Sequence, residues 1–310
     1  MQIIRDYQYV SEADRGATAA IGNFDGVHKG HLSVIEMARM ARPDAPLGIL
    51  TFEPHPREYF APEAPPFRLM NPTARAHRLE KIGVDKLYEL AFHTGLAGLT
   101  PEDFARDVIA KGLGLRHVVV GADFCFGKAR AGTAQDLVDF GQDMGFGVSI
   151  APLMGSGAQT VSSTAIRRAL SDGAPRRAAE MLGHWHRIDG PVIGGEQRGR
   201  ALGYPTANMS IDGLHQPAFG VYAVLVDVLE GPHAGSYHGV ASLGVRPMFG
   251  ENTANLETFI FDFKGDLYGV PLSVALVEHL RGEEKFDSVD ALIAQMDRDS
   301  AAARAVLKAL

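Results

Sequence analysis

Gly22-Asn23-Phe24-Asp25-Gly26-Val27-His28-Lys29-Gly30-His31 is the stretch on which the reading of this chain turns. An apolar run, Thr18-Ala19-Ala20-Ile21, precedes it, and a helical pattern from Leu32 to Ala41 follows. A strand that turns through glycines into a helix offers an anion backbone N–H groups and the positive end of a helix dipole. Two histidines three residues apart, His28 and His31, can reach one point near the helix start. Such a pair can also cap a helix or bind a metal. A zinc site needs a third and fourth ligand, yet the only cysteine is the distant Cys125 and no His-Glu-x-x-His pattern occurs. Nucleotide phosphate chemistry is the expectation.

Outward from this turn, the first half alternates. Strand-like runs at 17–22, 47–52, 86–92, 117–121 and 147–151 are separated by helical patterns at 31–41, 73–82, 101–111, 135–144 and 164–170. That alternation predicts a doubly wound parallel α/β sheet. Ligands bind such sheets beyond the carboxyl ends of the strands. The unusual residues fall there: the turn itself, Phe52-Glu53-Pro54-His55-Pro56-Arg57, the segment Gly121–Lys128, and Val161-Ser162-Ser163-Thr164-Ala165-Ile166-Arg167. Arg167 supplies a fixed charge whose planar fork can bind two phosphate oxygens. Ser163 and Thr164 can cap a helix while binding phosphate. From about Trp185 onward, period-two runs dominate, which predicts an antiparallel β-barrel or sandwich. A helical pattern from Ser288 to Leu310 closes the chain, and 174–182 reads as a connector. The boundary is placed near Gly183–His184, giving domains 1–183 and 184–310.

Totals bound the function. The chain has 310 residues, 46% of them hydrophobic, and a formal charge of −7. With a pI near 5.9, a nucleic-acid-binding surface is not expected. One cysteine permits no internal disulfide. Met1–Asp6 brings charge before any apolar run, unlike a signal peptide, and no stretch reaches the roughly 20 apolar residues of a membrane span. The expected compartment is the cytoplasm. Oligomeric state is not legible.

A second rich segment runs from Gly194 to Asn208. It lacks the Gly-Lys-Ser/Thr ending of a Walker A loop, but its glycines let backbone approach phosphates. Thr206 and Asn208, two apart, share a face if extended, and their oxygens suit Mg²⁺. On these residues alone, a Gly-Pro turn entering a strand is the favoured reading. In Leu256–Phe263, period two puts Glu257 on the face of Phe259, Phe261 and Phe263. A carboxylate partly desolvated there gains basicity; a strand-end glutamate leaning into water or paired with an arginine is the alternative. Asp262 falls on the other face, as a structural residue.

The ten-residue turn resembles the H-x-G-H motif of nucleotidyltransferases and, in its long form, the bacterial bifunctional riboflavin kinase/FMN adenylyltransferases. Gly199–Asn208 resembles the riboflavin kinase signature G-R-x-L-G-[FY]-P-T-A-N, and 162–167 resembles S-S-T-x-I-R. The resemblance spans Gly16 to Ala303 and implies two ATP-dependent steps, riboflavin to FMN in the C-terminal domain and FMN to FAD in the N-terminal one. It implies His28 and His31 at the nucleotide phosphates, and Gly22, Asn23, Phe24, Gly30, Ser163, Thr164 and Arg167 around them. In the kinase half it implies Gly195, Gly199, Arg200 and Gly203 at ATP, Thr206 and Asn208 at Mg²⁺, and Glu257 as catalytic base. His55 and Pro56, in F-x-P-H-P, and Asp123 and Phe124, in G-x-[DN]-F-x-F-G, are implied at the flavin, with one of Phe124 and Phe126 in the core. Arg281 and Phe286 are implied at the flavin or at the barrel mouth, with ordinary strand–helix packing as the alternative. The chain departs from the family pattern at Gly194 (usually His), Ser242 (usually Asn), Met248 (usually Thr) and Ala122 (usually an acid). Two rivals stay open: one working activity beside a degenerate kinase domain, or a non-catalytic flavin-binding protein.

Overall fold

The computed structural model describes residues 1–152, 161–194, 203–248 and 251–310. In the first half, strands β1 (Gln2–Ile4), β2 (Thr18–Ile21), β3 (Leu47–Glu53), β4 (Lys86–Ala91), β5 (His117–Gly121) and β8 (Gly147–Ala151) form one sheet in the order β1-β4-β3-β2-β5-β8. Every pairing in it is parallel. β2 is buried along its whole length, as strands covered on both faces are. Gly48 keeps β3 close to β4, because a Cβ there would lie 2.8 Å from the Tyr88 ring. β6 (Cys125–Phe126) and β7 (Gly132–Thr133) make a small hairpin.

The helices of this half are α1 (Lys29–Ala41), α2 (Pro56–Phe60), α3 (Pro72–Lys81), α4 (Thr94–Ala97), α5 (Pro101–Asp103) and α6 (Ala134–Met144). The helix expected over 101–111 is α-helical only for α5 and continues as a π-helix, Phe104–Gly112. Its wider turns bring Phe104, Val108, Ile109 and Leu113 together in the core with Ile21, Tyr88, Val118 and Val120. β1 carries only three residues, which is why the pattern of alternation did not reveal it.

Then come α7 (Ser163–Ser171) and α8 (Pro175–Leu182), followed by β9 (His186–Pro191), β10 (Thr206–Ser210), β11 (Gly220–Val228), β12 (Gly235–Met248), β13 (Glu251–Ile260) and β14 (Pro271–Arg281). These six strands form an antiparallel sheet, β10-β13-β12-β11-β14-β9. The sheet curls until its edges meet at one bridge, Ile193–Asn208, where the Ile193 N–H donates to the Asn208 carbonyl at 2.8 Å. Met209, Tyr222, Val224, Leu243, Leu256 and Leu276 fill the interior. Val221, Ala223, Val240, Phe261 and Val277 face outward, against Ala303 and Leu307 of the last helix, α9 (Val289–Lys308). Asp262 leaves β13 with φ 57° and pairs with Arg304 of α9 through both oxygens, at 2.8 and 2.9 Å.

The chain divides into two compact units, Met1–Pro65 with Arg75–Val161, and Pro66–Ala74 with Ser162–Leu310.

Candidate active sites

In the first unit, the parallel register sets the ends of β2, β3 and β5 on one edge of the sheet. The turn after β2 is tightly wound. Gly26 has φ 89°, and two residues with side chains, Phe24 (51°) and Val27 (42°), also adopt left-handed backbone. Each such residue costs on the order of 1–3 kcal/mol, and the cost is tolerated where the surroundings hold it, often at functional sites. His28 is the N-cap of α1: its Nδ1 accepts the His31 N–H at 3.2 Å. The remaining nitrogen, Nε2, then carries the proton of the neutral ring. The two imidazoles stack, 3.6 Å between centroids and 13° between planes, and Phe24 lies 5.2 Å from the His31 ring. Burial, with the neighbouring His28 ring, pushes the His31 pKa well below the usual histidine value. His31 is neutral at pH 7, and its Nδ1 is buried without a hydrogen-bond partner. The helix start thus offers imidazole donors and a helix dipole. The capping role that the sequence allows for this pair is taken by His28.

His55 caps α2, accepting the Arg57 N–H at 3.0 Å, while its own N–H donates to Glu58 at 3.1 Å. Pro56 opens the helix. Asp123 is exposed and Phe124 half-buried. Phe126 is the phenylalanine that enters the core, with Phe124 stacked on it at 5.5 Å.

Ser162–Arg167 belongs to the second unit. Ser162 caps α7, accepting the Ala165 N–H at 3.2 Å. Ser163 and Thr164 therefore occupy the first helical turn instead of the cap. The Arg167 guanidinium lies 5.1 Å over the Phe67 ring, and its Nε donates to the Phe67 carbonyl.

In the second sheet, strand register brings the second set of candidate residues together. Asn208 of β10 pairs with Glu257 of β13, and Glu257 pairs on its other side with Ser242 of β12. Ser242 pairs with Val221, and Val221 with Arg281. One row across the sheet therefore reads Asn208, Glu257, Ser242, Val221, Arg281, with Thr206 two residues along from Asn208 on the same face. Directly opposed residues stand about 4.5–5.5 Å apart at Cβ. Glu257 is half-buried. Asn208 is 8% exposed; its Oδ1 accepts from Asn255 Nδ2 at 2.9 Å, and Asn255 Oδ1 is buried without a partner. Gly203 adopts φ 85°, a turn conformation that favours glycine. Gly195, Gly199 and Arg200 lie outside the described residues. Gly194 is exposed, and a Cβ there meets nothing within 4 Å. The Arg281 guanidinium is engaged by Asp299 through Nε (3.0 and 3.1 Å) and Nη2 (2.8 Å), and it lies 5.8 Å over the Phe286 ring.

Several residues went unread in the sequence. Buried Arg75 and Glu89 form an ion cluster with half-buried Glu53 under the β2 turn, and Asn255 holds Asn208. No motif marks them, because their partners are distant in sequence.

The fold and its two residue constellations define a two-site, nucleotide-using transferase. The FAD synthetase family model matches residues 10–165 and the riboflavin kinase model residues 182–307. The bifunctional riboflavin kinase/FMN adenylyltransferase of Pseudomonas fluorescens is 40% identical, covering 99% of this chain and 98% of its own. That of Escherichia coli K12 is 36% identical, covering 98% and 97%. A crystal structure described as a macrolide-efflux protein from Streptococcus pneumoniae is similar with TM-score 0.83 and 33% identity, covering 97% of this chain and 98% of that one. No helix among the described residues is long and apolar enough to cross a membrane. The chain belongs to the bifunctional riboflavin kinase/FMN adenylyltransferase family.

Proposed function

We propose that this chain makes FMN and then FAD at two separate sites: residues 184–310 phosphorylate riboflavin with ATP, and residues 1–183 transfer an adenylyl group from ATP to FMN. The observation that carries the kinase reading is the register that sets Asn208 opposite Glu257. Glu257 accepts the proton of the ribityl hydroxyl as that oxygen attacks the γ-phosphorus, and ADP departs. A half-buried carboxylate is suited to this work, since general bases contribute about 10²–10⁴-fold.

The donor set fits Mg²⁺. Thr206 Oγ1 and Asn208 Oδ1 are neutral hard oxygens, and an amide oxygen that accepts one hydrogen bond from Asn255 keeps a second lone pair. A cation held largely by substrate phosphates and water needs only one or two protein oxygens. When bound there it neutralises phosphate charge. Gly195, Gly199, Arg200 and Gly203 are assigned to the ATP phosphates on the family motif.

In adenylyl transfer an FMN phosphate oxygen attacks the α-phosphorus and pyrophosphate leaves. His28 and His31 donate to the phosphate oxygens, with Gly22, Asn23, Phe24 and Gly30 shaping the turn. Ser163, Thr164 and Arg167 are assigned to nucleotide phosphate on the family motif. His55, Pro56, Asp123 and Phe124 are assigned to the FMN side, and Arg281, with the Phe286 it holds, to riboflavin. The reactions are assigned to the cytoplasm, where ATP is abundant, with riboflavin, FMN and ATP as the small-molecule substrates.

A chromatographic time course with riboflavin, excess ATP and Mg²⁺ tests the reading. FMN rises and passes into FAD in the native chain. His28→Ala accumulates FMN without FAD. Glu257→Gln forms FMN about 10²–10⁴-fold more slowly but converts supplied FMN to FAD at the native rate. Equal loss of both activities in either variant overturns the two-site assignment.

A further inference from the structure

Arg75, on α3, stands where two loops of the first unit's ligand edge are tied together. Its side chain is 4% exposed. Nη2 bridges two carboxylates, Glu53 at 3.1 Å and Glu89 at 3.0 Å. Nη1 donates at 3.4 Å to the Asn23 carbonyl, which also accepts from Thr51 Oγ1 at 3.3 Å. Glu89 takes a second cation, Arg5, at 3.2 Å. Two carboxylates and two guanidiniums therefore balance, with Arg75 the member that reaches the turn.

Asn23 is exposed and immediately precedes Phe24, the first left-handed residue of the turn. Phe24 and Val27 are buried within the turn, and at its exposed start two converging donors fix the Asn23 carbonyl. Backbone this far from its preferred conformations persists only where the surroundings over-determine it. Glu53, on the other side of Arg75, ends β3 and opens the Pro54-His55-Pro56 loop. One planar guanidinium thus contacts the turn at the histidines and the loop that begins at Glu53, and its fork offers directed donors to three acceptors, which a lysine ammonium on a flexible stem does less well.

We propose that Arg75 is a positioning residue for adenylyl transfer, holding the Asn23–His28 turn in register with the Glu53–Pro56 loop and so fixing the ATP phosphates relative to the FMN phosphate. It acts through those two loops and touches no reacting atom. The proposal rests on the reading of the β2 turn as the ATP site.

The test is steady-state FMN adenylylation by full-length Arg75→Lys and Arg75→Met, with riboflavin kinase activity and the thermal midpoint measured on the same preparations. Arg75→Lys keeps a cation between the carboxylates and is expected to preserve the fold. The expected result is native kinase activity, with kcat/KM for adenylylation down at least tenfold in Arg75→Lys through a higher KM for ATP, and further in Arg75→Met. Native KM values with only a lower midpoint or less active enzyme mean that Arg75 is merely structural, and overturn the proposal. Unchanged kinetics in Arg75→Lys overturn it as well, whether or not Arg75→Met folds. His28→Ala, run alongside, separates the two levels of inference. If it retains FAD formation, the ATP-site reading fails. If it loses FAD formation while Arg75→Lys is native, the Arg75 proposal fails alone.

Discussion

Gly30 lacks a side chain because His28 needs the space. A Cβ at this position would lie 3.1 Å from the His28 ring atoms Cε1 and Nδ1, the latter being the atom that caps α1. Gly30→Ala should displace the ring and lower the rate of FAD formation roughly tenfold to a hundredfold, the scale of a small misplacement at a reacting centre. Riboflavin kinase activity, measured on the same sample, should not change. His31 gives a second test at this scale. Its pKa is depressed, so the folded chain keeps the ring neutral below the pH at which an ordinary histidine charges. A proton NMR titration should place the midpoint of the His31 Cε1–H below the ordinary histidine value of about 6.5. A shift centred near 6.5 would contradict the buried, stacked geometry. The turn's residue types were legible in the sequence because glycine and histidine chemistry is local. The stacking of the two rings was not, since it depends on side-chain rotamers fixed by Phe24 and the sheet below.

Among the described residues, α9 is held to the rest of the second unit by the Arg281–Asp299 and Arg304–Asp262 ion pairs, a hydrogen bond from Tyr204 to Asp297 and an apolar strip. Arg281 clasps Asp299, whose side chain is 8% exposed. The contact raises the pKa of Arg281. Removing one partner of a buried pair leaves the other charge uncompensated, which costs about 3 kcal/mol. Arg281→Gln should therefore lower the urea midpoint of the second unit, read by the fluorescence of Trp185, the chain's single tryptophan. Arg304→Gln, whose pair with Asp262 is exposed, should change it little. The strands of both sheets were readable from their periodicity, apart from the three-residue β1 and the five-residue β10, which follows Gly203 and Pro205. The row from Asn208 to Arg281 was not readable. Period two gives the face of each residue within a strand, but only the pairing of five strands decides which residues of that face stand side by side.

For the molecule as a whole, acid lability is expected to come from a buried histidine. His186 is 3% exposed, and burial pulls its pKa down to about 3, helped by His184 and His215. The unfolded chain binds a proton at this histidine below about pH 6.5, whereas the folded chain does not until about pH 3. Between these values the unfolded state holds more protons, so stability falls as pH falls. Urea unfolding followed through Trp185 should lose about 1.4 kcal/mol per pH unit once below pH 6.5. His186→Leu should flatten that slope. Asp14 acts lower on the scale. Lys86 and Ser11 hold its pKa at about 2, so its contribution in the first unit persists above its ordinary value of 3.8 and is lost as pH drops towards 2.

The sequence by itself determined the two architectures, the glycine–histidine turn and the Thr-x-Asn pair, since each follows from periodicity or backbone freedom within a few residues. Tertiary structure alone decided that Glu257 stands between Asn208 and Ser242, that Arg281 is claimed by Asp299, and that Arg75 reaches the turn from a helix 52 residues further along the chain. Those placements come from strand register and buried charge pairing between segments far apart in sequence. No local pattern of residues encodes which distant partner a side chain meets.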